Sequence, residues 1–552
     1  MCPLYPPYPL WCRLTAPGTR LAHFAAMRIV AALTIVIAFT VVHGPAAPLV
    51  TVPTGGDLQA ALNSARPGDT ILLEAGATFV GTFILPAKST DDNREITVRT
   101  AGDAGLPGEG QRITPAASDH LAKLRSPNGL PALQTAPGAH GWRIALIEFQ
   151  ANRDGAGDII GLGDGSAQRS LAQVPSGLTL DRLFIHGDPN RGQKRGIALN
   201  SAATTITGCY ISDIKALGQD AQAIDGWNGP GDYTITNNYL EAAGENIMFG
   251  GADPAILGLT PTNITIRDNF LSKPLAWREP DAPKWQIKNL LELKNARTVV
   301  VERNVMERSW QQAQTGYAVL FTVRNQDGGC PWCQVEDIVF QRNLVRDMAS
   351  GIQLLGVDTN YPSRQTNRVT VADNIFDGID REAWGGDGFF VQLSGPSRDV
   401  TIDHNTVIQG KSGGIVKIAN GVTQNLTMTN NLASHGDYGI IGTNKGVGND
   451  SIAAYLPGAT ITSNVIAGGR SAVYPPGNLF PSVDEFRKQF VDPAARDYRL
   501  VPGSPWLKAG TDRHDLGANL RLMPAVLDRP IDSGRGRQSN PLGPARRGRG
   551  SR

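Results

Sequence analysis

The sequence predicts an all-β solenoid, a parallel β-helix of about ten coils. Three observations point there. A signature of two or three β-formers, two polar residues (the second usually Asn) and an apolar residue recurs along most of the chain. Its copies lie 26 to 39 residues apart, too variable for the fixed blades of a propeller but natural for a stack whose loops absorb insertions. The composition agrees: 63 Gly in 552 residues, with 41% hydrophobic and only 18% charged residues, against roughly 25% charged in ordinary globular chains. That balance disfavours a coiled coil, a helical bundle and wholesale disorder.

The signature reads Thr-Ile-Thr-Asn-Asn-Tyr at 234–239, Ile-Thr-Ile-Arg-Asp-Asn-Phe at 264–270 and Val-Val-Val-Glu-Arg-Asn-Val at 299–305. Later copies place Asn343, Asn374, Asn405, Asn431 and Asn464 at the same point, while two earlier ones carry Leu183 and Cys209 there. A second short strand follows each Asn, then a loop, a third strand and a second loop. Three short strands cannot bury an apolar face alone. Stacked coils can, each strand pairing with its counterparts at roughly 4.8 Å, so ten coils span roughly 50 Å. The Asn column is expected to be structural, each side chain bonding its own turn and the Asn stacked beside it. His404 belongs to this column and reads as a turn residue. At the front, apolar residues at 58, 61, 62 and 65 form an amphipathic helix with Asp57 as its N-cap, suited to cover the open edge of the first coil. Near the other end, Val483, Phe486 and Phe490 are expected to do the same.

The domain plan has three parts: a leader over 1–47, the β-helix over 48–520 and a tail over 521–552. Residues 29–42 are an uncharged run too short for the roughly 17–25 residues of a membrane span. With Met27-Arg28 before it and small residues after it, the run reads as a secretory signal beginning near Met27, behind an upstream extension. No stable membrane span is expected, and the compartment is secreted or periplasmic. The tail holds eight Arg against two Asp, and residues 1–28 hold three Arg and no acid. The remaining body is therefore mildly acidic despite the net charge of +2, which argues against a nucleic-acid partner. The tail is expected to be disordered, and the protein a monomer. After export, Cys330 and Cys333 (Cys-Pro-Trp-Cys) are expected to form a local disulfide.

The capping helix, the string Pro-Gly-Asp-Thr-Ile-Leu-Leu at 67–73 and the Asn turns resemble the pectate-lyase-like superfamily of right-handed parallel β-helices, over roughly residues 50–520. Strings at 228–231, 237–251 and 288–295 look like a bacterial branch of it. The resemblance implies a right-handed coil and a secreted protein that cleaves or modifies polysaccharides, by elimination or by hydrolysis. The polygalacturonase set (Asn-Thr-Asp, Asp-Asp, Gly-His-Gly, Arg-Ile-Lys) is missing, and Val-Thr-Ile-Asp-His at 400–404 lacks the Trp of the pectate lyase string. No catalytic residue therefore carries over, and fold alone does not decide function.

Candidate chemistry comes from side-chain alternation along the third strands. With Leu291 and Leu293 inward, Glu292 and Lys294 point out; in the next coil Thr322 and Arg324 do. Asp225, Asn246, Gln392 and Lys417 are read as outward too. The longest loops flank this ribbon and carry Trp227, Trp277, Trp285, Trp310, Trp332 and Trp384. Indole faces pack on sugar rings, so Trp227, Trp277, Trp310, Asn246, Lys273, Gln392 and Lys417 are expected to bind an oligosaccharide or polysaccharide. The cations Lys273, Arg278, Lys288, Lys294 and Arg324 favour an acidic, uronate-containing glycan.

Two mechanisms compete. In β-elimination a base removes the proton beside the carboxylate while a cation stabilises the enediolate. Neighbouring cations disfavour each other's charge, so Lys294 or Lys288 is the expected base and Arg324 the clamp. In inverting hydrolysis two carboxylates lie roughly 6.5–9.5 Å apart. Asp225 and Glu292, two coils apart, suit that spacing, with Glu245 and Glu241 nearby. A non-catalytic glycan-binding or surface β-helix is the third reading. No cofactor is certain; Asp213, Asp220 and Asp225 are the candidate ligands for calcium.

Overall fold

The computed structural model describes residues 49–88 and 94–523, and the leader and the tail beyond 523 lie outside them. Each coil contributes one strand in turn to each of three parallel sheets, which hold 14, 13 and 12 strands among the described residues. We call them sheets 1, 2 and 3 in the order the chain visits them. The protein is thus an all-β parallel β-helix. Apolar side chains from alternate positions fill the interior: Ile235, Ile266, Val301, Phe340 and Ile402 from sheet 1 are fully buried, as are Ile224, Phe249, Leu293 and Phe321 from sheet 3.

The corner between sheets 1 and 2 takes two residues per coil. The first is left-handed in coil after coil, from Asn237 (φ 56°) through Arg303 (φ 52°) and His404 (φ 50°) to Ser463 (φ 57°). The second is the recurrent Asn. Asn269 Oδ1 accepts from Asn238 N at 2.9 Å and Asn238 Nδ2 at 3.0 Å, and Asn269 passes the same pair of bonds to Asn304. Each Nδ2 also donates to a strand carbonyl of the preceding coil, as Asn304 does to Ile266. The ladder runs to Asn464 and one step beyond, to Asn478. At its start Cys209 N donates to Asn238 Oδ1, and Leu183 N approaches Cys209 Sγ at 3.4 Å. The sulfur thus continues the column by one weak bond.

The front edge is closed as expected by the helix Leu58–Ser64, with Asp57 accepting from Ala60 N and Leu58, Ala61 and Leu62 buried. The rear differs from the expectation. There the helix Asn449–Tyr455, with Leu456 and Tyr474, packs on the core. The segment carrying Phe486, Phe490, Tyr498 and Trp506 instead lies against the outer face of sheet 2, on Tyr239, Phe270, Val305, Leu344 and Ile375. That face carries large apolar residues pointing outward, and the doubled-back chain removes them from water. Among the described residues no helix is long and apolar enough to cross a membrane.

Candidate functional site

The outer face of sheet 3 forms the floor of a groove. Asp225, Met248, Glu292, Leu320, Gln353, Gln392 and Lys417 stand in register on successive coils. Lys294 lies two residues beyond Glu292 on its coil; in the next coil Arg324 N donates to the Lys294 carbonyl at 2.9 Å. Here the floor opens into a pocket of about 460 Å³ whose walls include Glu292, Lys294, Thr322, Arg324, Gln353 and Asp358. One rim is built from mutually braced loops: Gln311 N donates to Trp384 O, Ala313 N to Ile287 O and Gln286 N to Ala216 O. The other rim carries the Cys330–Cys333 disulfide, beside which Asp253 accepts from the backbone N–H groups of Gln326, Asp327 and Gly329.

Glu292 is held rigidly although its coil face points outward. Its two oxygens accept from Asn289 Nδ2 and Thr322 Oγ1, each at 2.9 Å, and the residue is 2% exposed. Lys294 Nζ stands 3.8 Å from Glu292 Oε1 and makes no hydrogen bond to the described residues. Among the described residues Arg324 gives only Nη1 to an acceptor, 3.2 Å from Asp358 Oδ1.

A buried charge cluster lies beneath one end. Arg195 bridges Asp158 and Asp225, both at 2.9 Å. Burial pushes the Asp225 carboxyl up to about 7; Arg195 opposes this and Glu245 adds to it. Glu245, fully buried, is also raised, by burial and then by Glu292. Burial works against the charge on Lys288, but Glu245 and Asp220 more than offset it and hold its proton on. Lys288, an expected base, is thus held in ion pairs, bonded to Asp220 and 3.6 Å from Glu245.

Other expected site residues are engaged within the protein. Lys273 and Asn246, expected to bind a ligand, are both fully buried. Lys273 Nζ donates to the carbonyls of Ala242, Ala243 and Gly244 and to Asn246 Oδ1 at 2.7–3.2 Å. Asn246 Nδ2 donates to Leu240 O and Ser272 O. Together they brace the bend that leads into sheet 3, where the regular alternation has not yet begun. Trp277 and Trp310 join Trp285 and Trp384 in one cluster, with Lys215 Nζ 5.4 and 5.2 Å from the Trp277 and Trp285 rings. Trp227 donates to Gly165 O and lies 5.2 Å from the Arg195 guanidinium. These indoles seal loops against the solenoid, and none lines the pocket. Gln392 and Lys417 do stand on the groove floor, Gln392 accepting from Tyr317 Oη at 3.1 Å and Lys417 paired with Asp387 at 2.7 Å.

The candidate calcium ligands do not converge. Asp213 is paired with Lys215, Asp220 with Lys288 and Asp225 with Arg195. Sequence reasoning missed Arg195, Gln353 and Asp358. Arg195 was accessible in principle, two residues before Ile197, which pairs with Ile224 next to Asp225. Asp358 lies in a loop that no repeat predicts.

The fold and this groove define a parallel β-helix with a charged cleft on one sheet. Among solved structures the chain is similar to the PL6-family alginate lyase AlyGC, with 14% identity and a TM-score of 0.52 over 86% of this chain and 57% of that one. It is also similar to a PL6-family polysaccharide lyase from Pseudopedobacter saltans (13% identity, TM-score 0.43, 85% of this chain and 99% of that one). A third likeness is to the catalytic unit of a GH87 alpha-1,3-glucanase from Streptomyces thermodiastaticus strain HF3-3 (13% identity, TM-score 0.44, 76% and 71%). No protein-family model matches the chain, and no curated protein matches it. At these identities the likeness bears on the fold.

Proposed function

We propose that the protein is a polysaccharide lyase that cleaves a uronate-containing glycan in the sheet 3 groove by β-elimination. One observation carries this reading. Lys294 and Arg324 stand together on the pocket wall, and the amine of the first, 3.8 Å from Glu292 Oε1, and two guanidinium nitrogens of the second make no hydrogen bond to the described residues. Cations with donors left free at a groove are matched by an anionic ligand.

The roles follow from the chemistry. Arg324 pairs with the sugar carboxylate and stabilises the enediolate as it forms. Lys294 takes the proton from the carbon beside that carboxylate, leaving the electron pair on the enediolate. Collapse of the enediolate forms the carbon–carbon double bond and breaks the bond to the glycosidic oxygen. The departing oxygen takes up the proton that Lys294 now carries, so no water is consumed. AlyGC, similar in fold, is named an alginate lyase. The Cys330–Cys333 disulfide supports an oxidising, exported setting.

A second reading is favoured by one observation. Asp225 holds a proton up to about 7 and lies two coils, roughly 9.6 Å, from Glu292, as an acid and base of an inverting hydrolase would. Against it, Asp225 is only 1% exposed. A screen of alginate, polygalacturonate and chondroitin separates these. A lyase gives unsaturated, ultraviolet-absorbing products that disappear in Lys294→Met and Arg324→Ala; a hydrolase gives only new reducing ends; a binding protein gives neither.

A further inference from the structure

We propose that Asp358 is the positioning residue for Arg324, fixing one end of the guanidinium so that Nε and Nη2 are presented as a two-donor fork for the carboxylate of a uronate. The inference rests on the reading of the groove as a lyase site and deepens it, because it names the group that decides how the substrate's charge is read.

Asp358 is not a surface partner that happens to lie near a cation. Its side chain is 1% exposed. Oδ2 accepts from Asn325 N at 2.7 Å, Oδ1 accepts from Asn360 N at 2.9 Å, and Asp358 N donates to Ser363 Oγ at 2.9 Å. The carboxylate is therefore fixed before it meets Arg324 Nη1 at 3.2 Å. It also spans two neighbouring coils, since Asn325 follows Arg324 directly while Asp358 belongs to the loop one coil on. That joint is tied further: Asn325 Nδ2 donates to Pro362 O, Asn325 Oδ1 accepts from Cys330 N, and Arg364 N donates to Cys333 O.

An exposed arginine samples many rotamers, and ordering it opposes binding by the entropy of a long side chain. A buried carboxylate that engages one terminal nitrogen removes much of that freedom in advance. Guanidinium and carboxylate are both planar, and a guanidinium held at Nη1 still offers Nε and Nη2, side by side, to a second carboxylate. The fork selects a glycan with a planar carboxylate on the ring over a neutral one, and it places the charge where the enediolate develops.

The test is a double-mutant cycle in the full-length protein, together with a crystal structure of Asp358→Asn. That variant keeps the size of the side chain but loses the carboxylate. On the uronate polymer that the wild type cleaves, kcat is expected to fall roughly 10- to 100-fold with KM little changed. In an Arg324→Lys background the same substitution is expected to lower kcat by less than about threefold, because the fork it serves is gone. Should Asp358→Asn fail to fold, Asp358→Ser, which keeps an acceptor for Asn325 N, is read through the same cycle. An equal loss in both backgrounds overturns the proposal, since a loop brace acts regardless of the residue at 324. So does a crystal structure of either Asp358 variant with the Arg324 guanidinium in its wild-type place. If the wild type cleaves none of the uronate polymers, the lyase reading falls, and the crystal structure still decides whether Asp358 places Arg324.

Discussion

Two stacks of polar side chains run along this solenoid, one at the corner of sheets 1 and 2 and the other on the outer face of sheet 3. At the corner, Asn238 through Asn464 are fully buried, and each Oδ1 and Nδ2 is used by the next rung or by a strand carbonyl. On sheet 3 the accounting is left open. Gln222 Oε1, Asp225 Oδ1, Glu245 Oε1 and Asn289 Oδ1 are buried acceptors that no donor among the described residues satisfies. A few residues away, Lys294 and Arg324 have donors that make no hydrogen bond to the described residues. Buried polar groups are ordinarily satisfied. A closed column repeats one chemistry and adds stability, whereas the open one mixes charges and leaves polar atoms without a partner among the described residues.

That contrast can be broken from either side. The largest effect on stability is expected from Asn304→Ala. It strips the acceptor from Asn269 and the donors to Ile266 O and Asn343, and at about 1–3 kcal/mol for each buried group left unsatisfied the fold should lose about 3 kcal/mol or more. Urea unfolding reads this, and activity per folded molecule should not change. The largest effect on activity is expected from Lys294→Met, a loss of roughly 10²–10⁴-fold in kcat for a missing general base. Thermal unfolding should show its stability largely retained, because Lys294 makes no hydrogen bond to the described residues and its ion pair to Glu292 is long, at 3.8 Å.

Asp225→Asn sharpens the comparison through pH. The folded state holds the Asp225 proton up to about 7, and an unfolded aspartate releases it near 4. Between those values the folded state binds more protons, so this group lowers stability as pH rises from about 4 to 7, and the deficit persists above. Relative to the wild type, Asp225→Asn should therefore gain melting temperature between pH 5 and pH 8; an unchanged difference would show that Asp225 does not carry the proton. The smallest effect belongs to Lys417→Ala. The Lys417–Asp387 pair is about one-third exposed on both sides, so stability should shift by about 0.5 kcal/mol or less, and any change should fall on KM.

The corner was legible in the sequence because one residue does the same job in every coil. Asn269, Asn304 and Asn343 recur in a fixed frame, and a repeat is visible even when its spacing drifts. Asn478 continues the ladder without a flanking strand and so escaped the pattern. The parity of sheet 3 was also readable: Leu293 and Phe321 fix Glu292, Lys294, Thr322 and Arg324 as outward. What alternation does not encode is where a strand begins and what the loops then cover. Lys273 and Asn246 sit at the bend before sheet 3, where parity has no meaning, and backbone carbonyls claim the ammonium there. The tryptophans lie in loops whose packing depends on neighbours one or two coils away, which is why Trp310 and Trp277 meet each other and not the groove. Asp358 was hidden for the same reason.

The central claim, that the open column performs an elimination, meets its most direct test in a digestion run in heavy-oxygen water, with the products weighed by mass spectrometry. The account predicts that no new end incorporates the label and that each new non-reducing end carries a double bond. Label at every new reducing end, with no unsaturated product, would contradict it and transfer the chemistry to Asp225 and Glu292.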